Sequence, residues 1–149
     1  MVNLASSAAP SRSRTLAYWA TTAIVAAEFL VGGVMDVMRM PPFFGVMLHL
    51  GYPLYFSVII GTWKVLGAAA VLVPRSARLK EWAYAGMVFD LTGAAASHLA
   101  VGNGAGAVVV PFVFTGLVMV SWALRPPVDA TSAQGIPSYF REPLRQRGK

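Results

Sequence analysis

The sequence predicts an all-α integral membrane protein: a four-helix bundle with an interfacial or re-entrant segment between helices 1 and 2. Three observations predict it. The 149 residues are 56% hydrophobic and only 12% charged, with a mean hydropathy of +0.60, whereas a soluble domain usually carries about 25% charge. Four apolar runs lie near the roughly 20 residues a helix needs to cross a bilayer. The basic residues sit beside those runs, where they set membrane topology. That placement, without any nucleic-acid motif, argues against nucleic acid as a partner despite the net charge of +6. With no cysteine there is no disulfide framework, Fe–S cluster or dithiol pair.

Residues 1–14 are small, polar and basic, and are expected to be disordered. They do not form a signal peptide with the adjoining apolar run, because that run is too long for an h-region, contains Glu28 and leads to no convincing cleavage site. A four-helix domain is then expected over residues 15–126. Span one covers about 16–38. Tyr18 and Trp19 near its start suit an interfacial belt, and Gly32-Gly33 offers a surface for close helix approach. Pro41-Pro42 ends it. Residues 40–53 are too apolar for an ordinary loop and too short to span, hence the interfacial or re-entrant reading.

Span two, about 54–73, carries Lys64 near its middle. A central lysine costs about 2.5–3.5 kcal/mol, and each Leu, Ile, Val or Phe returns roughly 0.3–0.6; the ten such residues here can carry it. The Pro74-Arg75 stop closes this span. Span three, about 82–101, has only five residues of those types and contains Asp90 and His98, so alone it would insert marginally. Its many Ala and Gly residues imply burial against other helices. The turn Gly102–Gly106 leads into span four, about 107–124, which holds no ionisable residue and is the expected wall helix. Residues 127–149 form a basic, Pro-rich tail. Ten Lys/Arg flank the spans on the side of both termini and one, Arg39, lies opposite, so the termini are expected to be cytoplasmic.

Topology converts positions into depths. Glu28, Lys64 and Asp90 each fall near the midpoint of a span and are expected to form a buried polar cluster at the midplane, with Lys64 neutralised by Asp90 or Glu28. Asp36 and His98 lie eight residues further along helices that run the same way, about 12 Å nearer the opposite face. With Arg39 they make an outer polar layer, which the connector residues His49 and Tyr52 could cover. Trp63 and Tyr52 are candidate aromatic contacts, Trp63 either over the Lys64 ammonium or facing lipid. The cluster reads in two ways: an internal salt bridge that sets register, or a ligand or proton site. No metal site is expected from two histidines lacking a close-spaced partner. No nucleophile–base arrangement is visible, so no catalytic residue is assigned and turnover by this chain alone is not expected.

The segments LGYPLYF, GTWKVLGA, Pro74-Arg75, LKEWAYAGMVFDLTGAAASHLAVG and SWALRP, in that order and spacing, resemble the DoxX-like family of small four-helix bacterial membrane proteins over about residues 16–126. The resemblance implies a four-helix membrane bundle. It also implies an accessory role in a quinone-linked membrane redox system, with a quinone as the conceivable cofactor and a membrane oxidoreductase or a second copy as partner. The location implied is the bacterial inner membrane. The alternative is a small proton-coupled transporter using the same Glu28–Lys64–Asp90 cluster.

Overall fold

A computed structural model describes residues 11–73 and 76–126. The expectations for residues 1–10, for the Pro74-Arg75 stop and for the tail 127–149 lie outside the described residues. Five helices succeed one another: α1 (Arg12–Val37), α2 (Phe43–His49), α3 (Leu54–Leu72), α4 (Ala77–Ala100) and α5 (Ala105–Leu124). By length and composition α1, α3 and α5 can cross a membrane; α4, with its charges and small residues, is not among them. The four long helices form a closed ring, α1 against α3, α3 against α4, α4 against α5 and α5 against α1. Val25, Phe29, Val71, Met87, Leu91 and Val118 fill its centre.

Caps explain where the helices begin. Ser11 accepts the Arg14 amide at the start of α1, and Ser76 accepts the Leu79 amide at the start of α4. Thus Arg12–Arg14, expected to be disordered, form the first turn of α1, and the basic connector after Ser76 is already helical. The expected connector over 40–53 contains the short helix α2, which packs on α1 and α3.

Three helices end alike, at the same end of the ring. After α1, α2 and α4 the chain turns through a left-handed residue: Arg39 (φ 55°), Gly51 (φ 82°) and Gly102 (φ 71°). In each case the next amide reaches back to a carbonyl five residues earlier: Met40 to Met35, Tyr52 to Met47 and Asn103 to His98. This is the Schellman ending, which satisfies carbonyls that the helix leaves free. It also fixes the positions of Tyr52, His98 and Asn103 at one surface.

The register of α1 against α3 is set by glycine. A Cβ added at Gly33 would lie 2.8 Å from the Gly61 carbonyl oxygen and 2.8 Å from Lys64 Cβ; one added at Gly61 would lie 2.6 Å from the Gly33 oxygen and 2.8 Å from Asp36 Cβ. The two backbones therefore touch, as small residues permit in membrane helices. The glycines of α4 on either side of Asp90 behave differently, since a Cβ at Gly86 or Gly93 would meet nothing within 4 Å.

Candidate functional site: a buried carboxylate–lysine cluster beside an apolar groove

The glycine crossing decides which acid meets Lys64. Lys64 Cβ lies against Gly33 of α1, five residues beyond Glu28. A helical side chain tilts toward its own N-terminus, and the N-terminal end of α3 lies beside the C-terminal end of α1. The lysine therefore reaches Asp36, one turn beyond Gly33. Nζ donates to Asp36 Oδ2 at 3.1 Å, with Asp36 fully buried and Lys64 9% exposed. This corrects the expectation that Glu28 or Asp90 neutralises Lys64, and moves Asp36 from the outer layer into the cluster. The depth count assumed that span midpoints align; the helix crossing offsets them. Ser57 of α3 donates to the Asp36 backbone carbonyl at 2.6 Å and ties the same turn.

Glu28 and Asp90 are half-buried and within electrostatic reach of Lys64, but neither forms a direct ion pair with it. Glu28 Oε2 and Asp36 Oδ1 are buried without a hydrogen-bond partner among the described residues. Three carboxylates thus surround one ammonium.

Of the two positions open to Trp63, over the ammonium or turned outward, the structure shows the second, and another ring takes the first. Trp63 is 66% exposed, whereas the ring of Phe43, from α2, sits 5.6 Å from the Lys64 ammonium, in cation–π range. Gly32 makes room for it: an added Cβ there would lie 3.3 Å from the Phe43 ring. Helix α2 thereby covers the cluster. Tyr52, the other aromatic candidate, donates or accepts at Ser97 Oγ (2.7 Å) and stacks on Phe56.

His98 does not join Asp36. Asn103 Nδ2 donates to His98 Nδ1 at 2.7 Å, and Asn103 Oδ1 pairs with His49 Nε2 at 2.8 Å. The connector does cover the end of α4, through these bonds and Tyr52. Arg39 is exposed at the α1 turn. Among the described residues no three His, Cys, Asp or Glu side chains are grouped to hold a metal ion.

Beside the cluster, between α3 and α4, runs a groove of about 520 Å³. Lys64 and Asp90 line one end. Gly67, Ala70, Ala83 and Gly86 line its length, and Trp63 and Trp82 also border it. The groove exists because small residues face each other across the most loosely packed of the four helix pairs. Asp90 has no hydrogen-bond partner among the described residues, leaving its carboxyl free toward that space.

A second polar group escaped sequence reading. Ser121 Oγ bridges Thr22 Oγ1 (2.7 Å) and the Tyr84 hydroxyl (2.9 Å), and Lys80 Nζ donates to the Tyr18 hydroxyl at 3.3 Å. Tyr18 is 2% exposed, so it is an interior residue and not part of a belt. Helix α5, expected as a mere wall, supplies the central hydroxyl. The available signal was spacing: Tyr18 and Thr22, like Lys80 and Tyr84, stand four apart on one helical face.

Helices long and apolar enough to span, joined by short connections and enclosing a charged cluster, define a multi-pass membrane protein. The model of the DoxX-like family matches residues 20–121; the chain belongs to the DoxX-like family. Comparison with curated proteins and with solved structures gives no match.

Proposed function

We propose that this DoxX-like protein is a small accessory subunit of a quinone-linked membrane redox system, and that it binds a small apolar, quinone-like molecule in the α3–α4 groove. In this reading α4 crosses the membrane with α1, α3 and α5, completing a four-helix bundle, and α2 is the interfacial or re-entrant cap. The support for α4 is its 24-residue length and its place closing the ring. The distribution of basic residues supports cytoplasmic termini, and the family resemblance supports a bacterial inner membrane and an oxidoreductase partner or a second copy.

One observation carries the ligand: the groove is apolar along its length and polar only where Lys64 and Asp90 meet it. Its volume lies within the roughly 300–1,000 Å³ of small-molecule sites. The test uses purified protein in lipid nanodiscs titrated with a decyl-benzoquinone, followed by tryptophan fluorescence. Saturable quenching is expected, and Gly86→Phe should abolish it by filling a space that is open around Gly86. Unsaturable quenching, together with no oxidoreductase recovered in a native pull-down, overturns this function.

The transporter reading is favoured by a different observation, the surplus of carboxylates and the two unpartnered buried oxygens. Proteoliposomes loaded with a pH-sensitive dye should then show proton-linked flux that Asp90→Asn abolishes. Equal flux in both proteins rejects it.

A further inference from the structure

The groove has a direction. Lys64 and Asp90 stand near the middles of α3 and α4, while Leu79 and Trp82, in the first turns of α4, mark the other end. From residue 79 to residue 90 a helix rises about 16 Å. The polar end is therefore the deep end, and the apolar end approaches the membrane surface. A phospholipid has the opposite polarity, since its head stays at the surface and its chains point inward. Placed here, it would set an acyl chain against Lys64 and Asp90 and leave both unsolvated, which is costly for buried charge.

The polar end also offers specific chemistry. Asp36 is the one hydrogen-bond acceptor on Lys64 Nζ among the described residues, so an ammonium with three N–H groups retains donors. Asp90 has no partner there. A lysine that donates and a carboxyl that accepts suit an uncharged head bearing a carbonyl or hydroxyl oxygen. A charged head would be opposed by one or the other. Phe43 closes the side of Lys64 toward α2, leaving the lateral face between Trp63 and Phe89 of the groove rim, both largely exposed, as the way in.

Resting on the groove-binding reading above, we infer that the occupant is a single-tailed, uncharged amphiphile that enters sideways from the bilayer, with its oxygen-bearing head lodged deep at Lys64 and Asp90 and its tail running toward Trp82. The inference concerns orientation and head chemistry, so it can fail while binding itself stands.

The two tryptophans on the groove report it. Two full-length variants, one retaining only Trp63 and one only Trp82 (the others changed to Phe), are titrated in nanodiscs with decyl-benzoquinone, whose ring is the quencher. A deep head quenches Trp63 saturably and more strongly than Trp82; para-decylphenol, whose hydroxyl can donate to the Asp90 carboxylate, displaces the quinone, and Asp90→Leu weakens the binding of this phenol roughly tenfold, the scale of one hydrogen bond. Asp90 has no structural partner to lose, so the variant should fold. Stronger saturable quenching of Trp82, or unchanged affinity for para-decylphenol in Asp90→Leu, overturns the deep-head orientation while leaving groove binding intact. Saturation at neither tryptophan overturns the groove-binding reading and this inference with it.

Discussion

In one half of the bundle Thr22, Ser121 and Tyr84 close a chain of hydroxyls among α1, α5 and α4, each buried and each with a partner. In the other, Asp36, Glu28 and Asp90 gather around a single Lys64, and two of their buried oxygens have none. Both groups are polar, both are internal, and the apolar core of Val25, Phe29, Met87 and Leu91 belongs to the same bundle. The hydroxyl chain is neutral and saturated in the sense that every oxygen in it has a partner, so it has little capacity to bind. The carboxylate cluster is charged, unsaturated and open to a groove, so it retains unused donors and acceptors. A saturated network specifies packing, whereas an unsaturated one keeps chemical capacity.

The strongest way to break this comparison is to remove the ammonium. Lys64→Met leaves Asp36 fully buried beside two other carboxylates, and loss of one partner of a buried pair costs about 3–5 kcal/mol. Unfolding in denaturant should show a drop of that order. Adding Asp36→Leu should recover most of it, because an apolar pair of similar volume can replace a buried ion pair. If the double variant stays as unstable as the single one, the pair is not what Lys64 stabilises.

How far the sequence anticipated the cluster depends on what each residue reports. Lys64, Glu28 and Asp90 stood out because charge within an apolar run is rare, and the position of the four long helices came from apolar runs and prolines. The partner of Lys64 was not legible. It depends on Gly33 meeting Gly61, an offset between two helices that no single-helix count contains. Phe43 was likewise hidden, since its place over Lys64 requires both the fold of α2 and the space left by Gly32. Ser121, Thr22 and Tyr84 carry no charge and so raised no flag, although each is buried with a hydrogen-bond partner.

A smaller effect is expected from the saturated group. Ser121→Ala removes the bridging hydroxyl and leaves Thr22 and Tyr84 to find other partners. Hydrogen bonds between membrane helices are worth about 0.6–1.7 kcal/mol, so the stability loss should lie in that range and well below that of Lys64→Met. Quinone titration of the same variant should give unchanged affinity. A large loss of affinity would mean that the hydroxyl chain and the groove act as one site, and the contrast between the two halves would fail.

The smallest effect concerns neither cluster but the clamp beyond them, where α4 and α5 meet at the end that carries the start of α1. Glu81 pairs with Arg125 and accepts from Trp122 Nε1 at 2.8 Å. The Arg125 guanidinium, helped by the indole N–H, holds the Glu81 carboxyl below its ordinary value of 4.5. A carboxyl lowered in the folded state stabilises above its unfolded pKa, and that contribution disappears as pH falls through the lowered value. The clamp should therefore be insensitive to pH at neutrality and loosen only below about the ordinary glutamate range. Because Glu81 is exposed, salt should weaken it as well. In a variant retaining Trp122 alone, fluorescence followed from neutral to acid pH should show this transition, and Glu81→Gln should remove it. A transition of equal size in Glu81→Gln would assign the acid response to the buried carboxylates instead, and so return it to the unsaturated half of the bundle.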